Sequence, residues 1–149
     1  MATMSELYQT VILDHNRAPR NYRPMPEANR DAEGFNPLCG DRVHVWLRLS
    51  EDGRTIDDVS FQGDGCAISK ASSSIMTQTV KGKSVEEARA LFAEFHDVVT
   101  GRADAARGKM AVFAGVSAFP MRVKCASLGW HALRAALDER APEQVVSTE

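Results

Sequence analysis

The hydrophobic and polar positions of this chain change period twice. Leu7, Tyr8, Val11 and Ile12 recur at the spacing of one helical face, with Ser5 placed as a cap, and predict a helix ending near His15. From Arg17 to Cys39 the pattern breaks. Pro19, Pro24, Pro26 and Pro37, with Asn21, Asn29, Asn36 and Gly34, leave little room for regular structure. A loop this long inside a compact domain is commonly functional. Val43, Val45, Leu47 and Leu49 then alternate with His44, Trp46 and Arg48, the period of a strand. Glu51 to Arg54, containing Gly53, reads as a hairpin turn, and a second strand covers about Ile56 to Gln62. A hairpin implies an antiparallel sheet, with residues 17–41 as the source of a third strand.

After Gly63-Asp64-Gly65-Cys66 the period lengthens to that of a helix. Ala67, Ile68, Ala71, Ile75, Met76 and Val80 form one apolar stripe, closed by Lys81-Gly82. Ser84 and Glu87 make a capping box for a helix lined by Val85, Ala88, Leu91, Phe92 and Phe95. The charged, Ala/Gly-rich stretch from His96 to Lys109 reads as surface. A short helix over Met110–Ala118 is expected before Pro120. A last helix is expected from near Arg122 to about Arg140, with Cys125, Leu128, Gly129, Ala132, Leu133, Ala136 and Leu137 on its buried face. Residues 141–149 read as a frayed tail. Strands followed by helices predict an α+β fold over a single domain, 1–149: a small antiparallel sheet of about three strands with helices packed on one side.

Composition narrows the function. With 149 residues, 44% hydrophobic and 26% charged, the chain can bury a core without disulfide help. A net charge of −2 argues against broad nucleic-acid binding, which needs a basic face. No apolar run approaches the roughly 20 residues of a membrane span. Met1 to Asp14 carries Glu6 and no Lys or Arg, unlike a secretory or transit segment, so the expected location is the cytoplasm.

The cysteines hold most of the chemistry. Cys39 closes the long Pro/Asn loop, Cys66 lies at a Gly-flanked strand-to-helix junction, and Cys125 is expected in the first turn of the last helix. Element ends can converge at one edge of a fold. Asp41 follows Cys39 by two residues, and Gly40 allows the backbone to bend between them. Three thiolates and a carboxylate suit tetrahedral zinc, with Zn–S near roughly 2.3 Å. Buried cysteines acting as small hydrophobes are the competing explanation, and Cys125 on an apolar face fits it. No Cys-x-x-Cys knuckle decides between the two. The histidines add little: His44 is expected on the solvent face of its strand, His15 and His96 as polar surface groups, and His131 away from Cys125. Ser69 and Ser72-Ser73-Ser74 read as small-residue packing and helix surface. Phosphate-loop, His-Glu-x-x-His and nucleophile-elbow signatures are absent from the sequence.

Taken together, Asn-Pro-x-Cys-Gly-Asp at 36–41, Gly-x-Gly-Cys-Ala-Ile-Ser at 63–69 and Arg-Val-Lys-Cys-Ala at 122–126 resemble the NifU/IscU-like iron–sulfur assembly family, nearest its SufU branch. The resemblance runs from Leu7-Tyr8 through the last helix. It implies metal ligation by Cys39, Asp41, Cys66 and Cys125. It also implies zinc as the cofactor and a role as sulfur acceptor for a SufS-like cysteine desulfurase; Cys39 is the expected nucleophile, because a long loop can move while Cys66 and Cys125 are anchored on helices. Downstream SUF scaffold proteins are further implied partners. Such a protein is a sulfurtransferase-like partner rather than a stand-alone enzyme. The alternatives are a scaffold on which iron or a [2Fe–2S] cluster is held transiently, and a structural zinc domain. Lys124, where cluster scaffolds have a ligand-capable histidine, and the added segment from about His96 to Val112 both resemble SufU. Arg17, Arg20 and Arg42 are candidate contacts for a partner, with solvated charge as the commoner explanation.

Overall fold

In the computed structural model, which describes residues 4–37, 40–103, 108–138 and 145–147, the first apolar stripe forms helix α1, Met4–Arg17. The Pro/Asn-rich segment ends in strand β1, Arg30–Asn36, the third strand expected there. β1 pairs antiparallel with β2, Asp41–Leu49, and β2 pairs antiparallel with β3, Ile56–Asp64. Register sets Ala32 beside Val45 and Val45 beside Phe61, so one face of the sheet is a continuous apolar row. The alternate positions Asp31, Glu33, His44 and Trp46 fall on the other face.

Helices α2, Ala67–Val80, and α3, Val85–Val99, follow the sheet, and α4 spans Pro120–Leu137. α4 lies against β1 and β2, α2 against β3 and α4, and α1 against α2. The helices thus cover the apolar face, as the α+β reading expects. Val43, Val45, Leu47, Val59 and Phe61 meet Ile75, Met76, Leu128 and Trp130 in the core. Burying each such large apolar side chain contributes about 1.5–3 kcal/mol. Trp130 stacks on Phe95 with centroids 4.6 Å apart, joining α4 to α3. Ser84 caps α3 as its capping box predicts: its hydroxyl accepts the Glu87 N–H at 3.0 Å, a contact worth about 1 kcal/mol.

The structure departs from the sequence reading in five places. The segment expected as one helix over Met110–Ala118 forms two 3₁₀ turns, Gly108–Phe113 and Val116–Ala118. The segment is too short and β-branched to sustain α geometry across Gly115. α4 begins at Pro120 rather than near Arg122, because proline's fixed φ suits a first helical turn. Cys125 therefore lies in the second turn, not the first. His15 is fully buried, with Nδ1 2.7 Å from the Ser74 hydroxyl, rather than on the surface. Ser72, Ser73 and Ser74 are also fully buried, because α2 is covered by α1 on one side and α4 on the other. Finally, within the tail expected to fray, Val145–Ser147 form β4, parallel to β1, giving the sheet order β3-β2-β1-β4 among the described residues. β1 offers an open edge there, and two successive valines suit a strand.

Candidate metal centre

Three of the four expected ligands meet where β2 begins, α2 begins and α4 passes. Asp41 is the first residue of β2, opposite Asn36 across the β1–β2 connection. Gly40 precedes it with φ +74°, a left-handed backbone that glycine adopts without penalty, and its N–H donates to the Asn36 carbonyl at 2.8 Å. Cys66 is the N-cap of α2; its sulfur accepts the Ser69 N–H at 3.4 Å. Cys125 reaches the same point from α4 and is buried.

Asp41 ties the strand to the helix. Its Oδ1 accepts the Cys66 N–H at 3.1 Å. Its Oδ2 is buried with no hydrogen-bond partner. The side chains of Asp41, Cys66 and Cys125 present one ligand atom each, all within 4.8 Å of one another. A tetrahedral zinc site holds neighbouring ligand atoms roughly 3.3–3.8 Å apart, as follows from Zn–S and Zn–O bonds of about 2.0–2.3 Å. Small side-chain rotations close that gap. Gly65 keeps the approach open: a Cβ there would stand 3.2 Å from the Asp41 carboxylate. A buried carboxylate oxygen without a proton donor, beside two thiols, fits a cation.

Cys66 is poised as a thiolate. Its pKa is lowered to about 7, first because the Cys125 thiol hydrogen-bonds its sulfur; burial opposes this, the Ser69 N–H assists and the Asp41 charge opposes. Neither Cys66 nor Cys125 is in a disulfide. Cys39, the expected fourth ligand and nucleophile, lies outside the described residues.

The other candidates fall elsewhere. His44 lies on the sheet face away from the core, as expected, and is half-buried there: its ring stacks on Trp46 at 4.1 Å, and its Nε2 lies 2.7 Å from Asp31 Oδ2. His131 packs edge-on to Phe92 at 5.4 Å, on the α3 side of α4, away from Cys125 as expected. Arg20 is paired with Asp14 at 2.7 Å and Arg42 with Glu33 at 3.4 Å. Arg17 is exposed. The sequence reading did not single out Tyr8, which it placed among core residues, or Arg122, whose charge is felt at the Tyr8 hydroxyl. A tyrosine at the start of an apolar stripe was the available signal. No described helix is long and apolar enough to cross a membrane.

Residues 7–139 match the NifU-like N terminal domain family. The chain is 40% identical over 135 residues to the zinc-dependent sulfurtransferase SufU of Bacillus subtilis, covering 89% of this chain and 90% of that protein. It is 38% identical over 147 residues to the iron–sulfur cluster assembly scaffold protein IscU of Streptococcus pyogenes, covering 97% and 91%. Among solved structures, a putative SUF-system scaffold protein from Fervidobacterium islandicum superposes with a TM-score of 0.81 at 33% identity, covering 88% of this chain and 96% of that one.

Proposed function

Because the chain belongs to the NifU-like N-terminal domain family, we propose that it serves iron–sulfur cluster biogenesis as a zinc-binding acceptor of persulfide sulfur from a cysteine desulfurase. The observation that carries this reading is the convergence of Asp41, Cys66 and Cys125 within 4.8 Å around an orphaned carboxylate oxygen. With Cys39 as the fourth ligand, the donor set is three sulfurs and one oxygen, which suits zinc. Bound zinc keeps its cysteine ligands ionised and has no redox chemistry of its own.

The chain's own residues divide the remaining work. Cys66 and Cys125 are anchored on helices and hold their positions. Asp41 fixes the start of α2 through the Cys66 N–H. Cys39, in the β1–β2 connection by sequence, is the acceptor. Its thiolate attacks the outer sulfur of the donor's persulfide. The sulfur–sulfur bond of the donor breaks, its electron pair leaves on the donor's cysteine thiolate, and Cys39 carries the new persulfide. The exchange is redox-neutral. Lys124 beside Cys125 supports sulfur transfer over cluster assembly, since an ammonium has no lone pair for iron.

The scaffold reading keeps some support because the S. pyogenes relative carries that name. Metal analysis of protein purified without reconstitution, combined with a desulfurase assay, separates the two. One zinc per chain with stimulation, and loss of stimulation in Cys39→Ala, is the expected result. A coloured protein that donates its cluster, or full stimulation by Cys39→Ala, would overturn it.

A further inference from the structure

α3 and α4 leave between them a cleft of about 350 Å³, and none of its lining residues belongs to the metal centre. Sites for small molecules commonly have this size, an apolar floor and a few convergent polar groups. The floor here is Phe92 on α3 with Leu133 and Leu137 on α4, and both leucines are buried. Residues four apart share a helical face, which puts His96 beside Phe92 and Leu137 beside Leu133. Ala93, exposed and small, leaves the mouth open where a longer side chain would fill it.

The walls are aromatic. The Phe92 and His96 rings are nearly parallel, planes at 14° and centroids 6.2 Å apart, and His131 meets Phe92 at 69° and 5.4 Å. Such rings offer faces and edges to a flat ligand.

The cations of the cleft are not equally engaged. Arg89 is committed to the fold: Nη1 donates to Asp138 Oδ1 at 2.7 Å and Nη2 to the Leu137 carbonyl at 3.3 Å. Arg134 reaches Asp138 only through Nε, at 4.0 Å, and its guanidinium lies over the Phe92 ring, 5.4 Å from the centroid. Its Nη groups thus lie by the aromatic floor with donors to offer. His131 sits in the same positive field. Burial lowers its pKa, and the charges of His96 and Arg134 lower it further. The neutral imidazole keeps one N–H donor. Asp97 is the one carboxylate among the described lining residues. It stands five residues beyond Phe92, about 7.5 Å along α3, whereas Arg134 lies over Phe92 itself.

We propose that this cleft binds a small aromatic acid, its ring seated on Phe92, Leu133 and Leu137 and its anionic group on Arg134 and the N–H of His131. The two sites share no residue, so the proposal stands apart from the metal-centre reading.

The probe is 2-naphthoate, with 2-naphthylmethylammonium as a cation of similar shape. Calorimetry on the full chain should show one naphthoate bound per chain and the ammonium bound about 10-fold more weakly or worse, since only the acid gains charge-assisted hydrogen bonds. Arg134→Gln, at an exposed position, should weaken naphthoate about 10-fold and barely change the ammonium. Ala93→Trp fills the mouth and should abolish naphthoate binding, which keeps the test open if the Arg134 variant does not fold. Wild-type protein that binds no naphthoate at millimolar concentration would overturn the proposal. So would equal binding of the two probes, or unchanged naphthoate binding in either variant.

Discussion

The Asp41 carboxylate accepts the Cys66 N–H at 3.1 Å through one oxygen and buries the other with no partner. The first contact joins a strand to a helix; the second leaves a buried polar oxygen without a hydrogen-bond partner. Asp41→Ala removes both. Cys66 is half-exposed, so its N–H can turn to water, whereas Asp41 is only 4% exposed. The metal-free variant should therefore be more stable than the wild type, by about 1 kcal/mol in urea unfolding, while zinc retention is lost. A less stable variant would show that the strand–helix tie outweighs the unpartnered oxygen.

Cys66 should react as an acidic thiol when the protein is metal-free. Only the thiolate is alkylated. The iodoacetamide rate at the Cys66 peptide, followed by mass spectrometry, should rise with pH and level off above a midpoint of about 7. Cys125→Ala removes the largest lowering influence, the hydrogen bond from the Cys125 thiol, and should move the midpoint upward. A midpoint left in place would refute that cause.

His131 makes stability depend on acid. Burial lowers its pKa, with the positive charges of His96 and Arg134 adding to the effect. As pH falls below about 6.5, the unfolded chain takes up a proton that the folded chain refuses, so stability is present above that pH and lost progressively below it. His131→Gln should flatten the dependence of Tm on pH between roughly 6.5 and 5. An equally steep variant would assign the acid loss to other groups.

Gly129 gives α4 its close approach to α2. A Cβ at Gly129 would stand 2.2 Å from the Ser73 hydroxyl oxygen and 3.0 Å from the Ser73 Cβ. Gly129→Ala should cost about 1–3 kcal/mol in chemical unfolding. Ser73→Gly in the same chain should recover part of that loss, so the two effects will not add. Additive losses would show that the two positions do not meet.

Period carried most of the fold into view. Alternation at 43–49 and stripes at 67–80, 85–95 and 125–137 each reported a half-buried element, because burial on one face leaves a repeat in the sequence. The misjudged positions were those where burial came from a second neighbour. His15 and Ser72–Ser74 are polar residues enclosed by neighbouring helices: α1 over α2 buries His15 against Ser74, and α4 on the other side of α2 covers Ser72 and Ser73. β4 was invisible for the same reason: three residues have no period, and their pairing depends on the open edge of β1.

The candidate centre divides in the same way. Residue types and their places at element ends named Cys39, Asp41, Cys66 and Cys125 and the α+β order, since ligand chemistry and periodicity are local properties of the chain. That Asp41, Cys66 and Cys125 meet and that one carboxylate oxygen is orphaned were decided by tertiary structure alone. Distances between residues far apart in sequence follow from how helices seat on a sheet, and no local pattern encodes that.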